Sequence, residues 1–460
     1  MKVKSIPSGW MRRDGRRLDC GPYMSGALEA KIRLEELSCR KETLESLCDG
    51  GIDGIYHAGR ESRTWVEDPE AGVPFLSSSS ILAADLSSLP LIAKKQVAAN
   101  PRFILRPGWT LITRSGTIGR MVYARTDMDG LACSEHVMRV VPDSEKVRPG
   151  YLFAFLRSKF GVPLVTSGTY GSIIQSIEPQ HVAGLPVPRL GDEIERAVHE
   201  HVDRAATLRT EAAETRKTVL NSVTSRLGWL SRSAADLWTT ASAGLLQRRM
   251  DSFHHAEGVR AARACLATSK SVRVGDVVED VFEPNRGARR KVEDPSFGVP
   301  FLSSSEVFRL DPTGDYYISK TRTPHIEKQI VRAEDVLLPR SGQLGGIIGR
   351  AVLPLPTYYG AAASEHLVRV RCRSREDAFL TWALFATEPG YFAAIGTAFG
   401  SSIPSLDCSL LAELKVPWWQ GAVRDEIVEQ VAHMVDALSG AIQAERDGVA
   451  LLERAIEEAS

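Results

Sequence analysis

The feature that most limits how this chain can fold is an internal repeat. Glu67-Asp68-Pro69, followed by Gly72-Val73-Pro74-Phe75-Leu76-Ser77-Ser78-Ser79, returns 226 positions later as Glu293-Asp294-Pro295, followed by Gly298-Val299-Pro300-Phe301-Leu302-Ser303-Ser304-Ser305. Shorter echoes keep the same order: Arg16-Arg17-Leu18-Asp19 with Arg248-Arg249-Met250-Asp251, Arg114-Ser115-Gly116 with Arg340-Ser341-Gly342, and Ser134-Glu135-His136 with Ser364-Glu365-His366. The Gly168 to Ser172 stretch answers Gly396 to Ser401, and Val182 to Pro188 answers Leu411 to Pro417. Each half is therefore one copy of a domain, and two copies suggest a molecule that meets its partner in two places.

At 460 residues, with 43% hydrophobic and 25% charged content, the chain can supply each copy with an ordinary core. It has no apolar stretch of signal-peptide type near Met1 and no run of eighteen apolar residues, so a cytoplasmic protein with no membrane association is expected. Seven cysteines without a Cys-x-x-Cys pair signal neither a zinc ribbon nor a disulfide framework. Formal net charge is zero, which is awkward for phosphate binding. Local basic clusters nevertheless stand out. Arg60 and Arg63 precede the first shared block, and Lys94, Lys95 and Arg102 follow it; Arg286, Arg289, Arg290 and Lys291 precede the second, with Lys320 and Arg322 behind. The framework matches while the basic loops around it read as different, as two unlike sequence readers would require, because phosphate contacts position and base contacts specify.

The ends of the two halves carry a second period. Ile194, Val198, Ala205, Leu208, Ala212 and Val219 fall on steps of three and four, with His201, Thr215 and Ser222 completing the seam. Ile427, Val431, Met434, Leu438, Ala441, Leu452 and Ala455 do the same, with Glu445 and Gly448 as imperfect members. Two long helices are predicted, each packing on the other or on its own domain. Within the domains, Thr110–Thr113, Met121–Ala124 and His136–Val141 read as strands, and Tyr151–Ser158 and Phe379–Thr387 as buried helices. Fold class is α+β. Asn221 to Ser233 is the expected joint between the halves.

Ser134-Glu135-His136 and Ser364-Glu365-His366 contain the parts of a hydrolase triad, with His136 or His366 as base. Read as strand, neighbouring side chains point to opposite faces, so a bracing polar network is expected instead. The Arg114 to Arg120 and Arg340 to Arg350 segments match neither a Walker loop nor Gly-x-Gly-x-x-Gly, and their glycines predict tight turns with positive φ. For the Gly168 to Ser172 and Gly396 to Ser402 loops, structural turn and nucleic-acid contact both stand open.

Over essentially its full length the chain resembles the specificity subunit of type I restriction-modification systems. The resemblance rests on the tandem halves, Arg17-Leu18-Asp19, the shared blocks, the Arg-Ser-Gly turns, the Ser-Glu-His segments, Leu185 to Pro188 and the heptad helices. It implies two tandem homologous target-recognition domains, 1–190 and 229–420. A central spacer helix, 191–228, and a C-terminal one, 421–460, would separate them as an antiparallel coiled coil, giving pseudo-twofold symmetry. Each domain would read half of a bipartite, asymmetric site in double-stranded DNA, with the basic residues above as candidate contacts. The partners implied are two DNA methyltransferase (modification) subunits and restriction subunits. Asn100-Pro101-Arg102-Phe103 is the nearest approach to a methyltransferase Asn/Asp-Pro-Pro-aromatic motif, and Arg102 breaks it. The chain is thus expected to be non-catalytic and to hold no cofactor, with S-adenosylmethionine, ATP and Mg in the partner subunits. A hydrolase using His136 or His366 and a protein-interaction scaffold, neither with sequence-specific DNA binding, are the remaining alternatives.

Overall fold

The computed structural model describes residues 3–13, 21–167, 176–230, 240, 243–244, 246, 249–268, 270–284, 286–314, 316–400 and 402–459. The Arg16 to Asp19 echo, Arg248 and the Gly168 to Ser172 loop lie outside these residues. The chain forms two compact units, 1–210 with 440–460, and 211–439. Each mixes helix and sheet, so the α+β expectation holds.

In the first unit the strands predicted from sequence appear as Thr110–Thr113, Met121–Tyr123 and Val137–Val140. They form one antiparallel sheet with Ile55–Tyr56, in the order Ile55–Tyr56, Val137–Val140, Thr110–Thr113, Met121–Tyr123. The shared block becomes the strand Gly72–Leu76 of a second sheet. There it pairs antiparallel with Leu91–Ala93, which also pairs Trp65–Val66, and parallel with Ala132–Cys133. Gly116 and Gly119 hold φ of 78° and 77°, the left-handed turn that their spacing predicted. The helix Pro149–Arg157 follows, buried over Gly150–Leu156 because it lies in a core with Ile112, Met138 and Val140 of the sheet and Val198 and Val202 of the long helix.

The second unit repeats this plan. Gly298–Leu302 lies between Tyr316–Ser319 and Ala362–Ala363, with Lys291–Val292 at the edge. Val278–Phe282, Leu367–Cys372 and Asp335–Pro339 make the other sheet. The strand equivalent to Met121–Tyr123 shrinks to a single bridge, Leu337 with Val352. Pro186–Pro188 pairs with Lys41–Thr43 in the first unit, and Lys415–Pro417 with Ser271–Arg273 in the second, just before each long helix.

Those helices run Asp192–Leu227 and Ala422–Glu458. Left-handed Gly191 and Gly421 precede them, and Asp192, Glu193 and Glu195 meet the positive end of the first. In the first unit, His201 faces Gly448 and Ala205 packs with Ala441 and Ala444, while Gly440 touches Leu208. Rising numbers on one helix meet falling numbers on the other, so the two run antiparallel here. In the second unit Glu211 reaches His433 at 3.2 Å and Arg226 reaches Glu426 at 2.8 Å. The seam also serves the globular part: Val198, Val202, Leu452 and Ile456 belong to the same core as the Pro149–Arg157 helix.

Both imperfect seam positions have physical reasons. At Gly448 an added Cβ would sit 2.9 Å from that of His201, so a glycine permits the close approach. Glu445 is buried between two guanidiniums, Arg157 at 2.8 Å and Arg209. Burial by itself would raise the Glu445 pKa, but the charges and hydrogen bonds of Arg209 and Arg157 outweigh it and hold the carboxyl down at about 2. Three segments of chain are thereby locked to one register.

Because this pKa is depressed in the folded protein, the stabilisation is complete above the ordinary glutamate range and is lost as pH falls toward about 2. Glu445→Ala leaves the buried Arg209 uncompensated and is expected to cost about 3–5 kcal/mol. Urea titrations between pH 7 and pH 3 should show the wild type losing stability on acidification more steeply than Glu445→Ala; parallel curves would contradict the assignment.

Candidate nucleic-acid interface

The spacing of the repeat makes Arg63 and Arg289 equivalent, and the structure holds both between a glutamate and a phenylalanine ring. Arg63 Nη2 donates to Glu135 Oε2 at 2.6 Å and to Ser134 Oγ at 3.2 Å, and its guanidinium carbon lies 5.0 Å from the centre of the Phe75 ring. Arg289 Nη2 donates to Glu365 Oε1 at 2.7 Å, and its guanidinium carbon lies 4.5 Å from the Phe301 ring centre. The Glu of each Ser-Glu-His segment and the Phe of each shared block thus form one cradle. Burial raises the cost of charge on Glu135 and Glu365, yet the arginine hydrogen bonds and neighbouring charges prevail and keep both carboxyls below their ordinary range. The basic tracts read as unmatched from sequence therefore share a framework arginine. Arg60 and Arg286 are equivalent by the same offset, as are Lys94 and Lys320.

The Ser-Glu-His segment is a turn ahead of its strand, with Ser134 Oγ accepting from the His136 amide at 3.1 Å and Ser364 Oγ from that of His366 at 3.2 Å. The opposite-faces expectation consequently fails, since Glu135 Oε1 comes within 3.3 Å of His136 Nε2. Ser115 Oγ meets His136 Nδ1 at 2.5 Å. In the second unit Ser341 Oγ instead meets Ser405 Oγ at 2.7 Å, and Glu365 stands 3.9 Å from His366. A serine, histidine and carboxylate line up in one copy only, and there the carboxylate is also held by Arg63.

Beneath each turn lies an arginine that sequence reasoning missed. Arg139 is fully buried and donates to the carbonyls of Ser134 (2.8 Å), Val137 (2.6 Å) and Phe103 (3.4 Å) and to that of Cys133. Arg369 does the same for Ser364 (2.7 Å), Leu367 (2.5 Å), Ala363 (2.6 Å) and Gln329 (3.2 Å). Burial pulls Arg369 down to about 10, so it remains charged at neutral pH. The shared Arg, five residues after each Ser, was the available signal.

The other candidate residues lie on the surface of these cradles. In the first unit, Gln96 accepts from the Thr64 amide at 3.0 Å and donates to the Ser62 carbonyl at 2.7 Å, while Asn100 Nδ2 donates to the Ala58 carbonyl at 2.8 Å. These bonds dock the loop carrying Arg60 and Arg63 on the Lys94–Ala99 helix, beside exposed Lys94 and Lys95. Arg102 lies over the Tyr56 ring at 5.2 Å, and both line an open cleft of about 490 Å³ with His57 and Asn100. In the second unit, the Arg290 carbonyl accepts from the Ser319 amide at 2.7 Å. Lys291 Nζ lies 3.9 Å from the Tyr316 ring centre, and the Arg322 amide donates to Ser319 Oγ at 3.2 Å. Arg290, Lys291, Lys320 and Arg322 therefore gather along one sheet edge, all exposed, as is Arg286.

No protein-family model matches this chain, and no curated protein does. It is similar to three solved structures. One is the type-I restriction-modification system S subunit from M. genitalium, at 12% identity and TM-score 0.35 over 92% of this chain and 96% of that one. The HsdS subunit from Thermoanaerobacter tengcongensis matches at 16% identity and TM-score 0.28, over 91% and 96%. A chain solved in work on complex assembly and conformational transition of the type I R-M system matches at 17% identity and TM-score 0.28, over 91% and 97%. Among the described residues, no helix is long and apolar enough to cross a membrane, and no group of three or more His, Cys, Asp or Glu could hold a metal ion.

Arg369→Leu takes the guanidinium donors from four main-chain carbonyls, of which that of Ser364 keeps the Leu367 amide, and is expected to destabilise the protein by roughly 3 kcal/mol. Urea unfolding measures it; a change under about 1 kcal/mol would show that the arginine does not hold the turn.

Proposed function

We propose that this chain is the DNA sequence-recognition subunit of a type I restriction-modification complex. The observation that carries the proposal is the cradle built twice: one internal Arg–Glu–Phe frame per unit, each beneath exposed basic residues that are partly shared and partly different. In this reading the frame and the shared pairs Arg60/Arg286 and Lys94/Lys320 position, and the differing residues specify. Arg60, Lys94, Lys95 and Arg102 face one half of a bipartite, asymmetric duplex site, and Arg286, Arg290, Lys291, Lys320 and Arg322 the other. Arg63 and Arg289 act beneath them, holding the loops. The two long helices, paired as a coiled coil, set the separation of the half-sites. The chain performs no chemistry itself and assembles with two modification subunits, and with restriction subunits for cleavage. S-adenosylmethionine, ATP and Mg belong to those partners, in the cytoplasm.

The test separates frame from surface. Arg290→Ala with Lys291→Ala should leave folding intact, weaken duplex binding and lower the slope of log affinity against log salt by about two. Arg289→Ala should lower thermal stability as well as affinity. Gel-shift titrations over a salt series read both; an unchanged slope in the double variant would contradict the assignment. Removing seven residues from each long helix shortens the pair by about 10 Å, or roughly three base pairs at 3.4 Å each. Methylome sequencing should then show a shorter spacer, and an unaltered one would exclude the helices as the ruler.

A further inference from the structure

The two copies differ by an insertion whose place can be fixed to a single turn. The offset between them is 226 at Ser115-Gly116 and Ser341-Gly342, and 230 at Ile118-Gly119-Arg120 and Ile348-Gly349-Arg350. Four extra residues thus sit inside the second Arg-Ser-Gly turn, within Gln343 to Ile347. In the first unit Ile118 packs against the core and the turn closes at once, with the Gly119 amide donating to the Thr113 carbonyl at 2.9 Å. In the second, Ile348 keeps the buried role, and Gly349 packs so closely on the Glu388–Ile395 helix that an added Cβ would meet Ile395 at 2.7 Å. The inserted part cannot follow them inward. Leu344 and Ile347 are left 40% and 36% exposed.

A second apolar loop stands beside it. Phe399 and Ser405 exchange backbone hydrogen bonds of 2.9 and 2.8 Å, closing a loop on which Phe399 is 48% and Ile403 68% exposed. The two loops are tied at their bases: the Gly342 amide donates to the Pro404 carbonyl at 3.2 Å, and the Leu406 amide to the Arg340 carbonyl at 2.8 Å. Four large apolar side chains therefore project from one doubly braced base. Two further observations indicate what they meet. Neither 336–364 nor 389–406 contains an aspartate or glutamate, in a chain that has 57, and Glu283, which reaches the base from outside both segments, is neutralised there by its ion pair with Arg340. The base also adjoins the basic cradle, since the Arg340 amide donates to the carbonyl of His366, the neighbour of the Glu365 that holds Arg289. An acid-free apolar projection at the edge of a basic face suits a polyanion with a stacked apolar interior.

We propose that Leu344, Ile347, Phe399 and Ile403 form a wedge that enters a base-pair step of the duplex and partly unstacks it, in the half-site read by the second unit only. Apolar side chains that wedge between base steps and kink the duplex are a recurrent device of DNA-binding proteins. This inference rests on the DNA-recognition reading above. The test uses the full chain, assembled with its modification subunits, on a duplex carrying the motif methylated in the host genome. 2-Aminopurine is placed at successive positions through both half-sites. Apart from the target base that each modification subunit flips out of the stack, the expected result is a several-fold fluorescence increase at one step, in one half-site. It should fall to the free-duplex level in Leu344→Ser with Ile403→Ser, and in a deletion of Gln343 to Gly346 that restores the length of the first turn. A gel shift showing normal binding with no fluorescence change outside the flipped target bases would overturn the wedge and leave the recognition reading intact. A variant that keeps DNA-dependent fluorescence but no longer retains the modification subunits would overturn it too, making the loops a protein contact. Failure of the wild type to bind the duplex at all would end the recognition reading, and the wedge with it.

Discussion

A guanidinium held between a carboxylate and a phenyl ring fixes the working face of each unit. Arg63 and Arg289 are tied to Glu135 and Glu365 and lie over Phe75 and Phe301, so sequence blocks far apart in the chain meet at one point. Removing either arginine would leave a half-buried carboxylate without its counter-charge, and the turn presenting it rests in turn on a fully buried arginine, Arg139 or Arg369. The polar bracing is costly to build but highly directional. A loop carrying variable side chains can then differ between the copies without the strand beneath it shifting. The same device explains why the Ser-Glu-His segments recur without requiring catalysis from them.

The helices apply the same economy of charge to register. Across the described seam, small and apolar residues such as Ala205, Ala441 and Leu452 give adhesion but permit sliding. Glu445, buried between Arg157 and Arg209, does not, because a one-turn slip would leave its carboxylate and the Arg209 guanidinium buried without partners. Gly448 adds a steric key against His201.

The repeat, both long helices, the three strands around Gly116 and the buried Tyr151 helix follow from period and turn chemistry alone. Glu445 and Gly448 looked like defects because a hydrophobic pattern registers neither ion pairs nor close backbone approach. Arg139 lies in an apolar strand with every residue buried, so alternation offered no sign that a charge was enclosed among carbonyls. The equivalence of Arg63 and Arg289 was hidden by their neighbours, Trp65 in one copy and Lys291 in the other. Strand alternation sets Glu135 and His136 on opposite faces, whereas the hydroxyl of Ser134 folds them into a turn.

If one frame, used twice, carries two different readers, as proposed, then exchanging one loop must change one half-site alone. The direct measurement is a loop transplant: His57 to Trp65 replaced by the residues of Glu283 to Lys291, with Arg289 falling on the position of Arg63, followed by methylome sequencing of cells carrying the assembled complex. The expected outcome is a bipartite methylated motif in which one half changes and the other half and the spacer stay as in the wild type. A motif altered in both halves, or in neither, would contradict it.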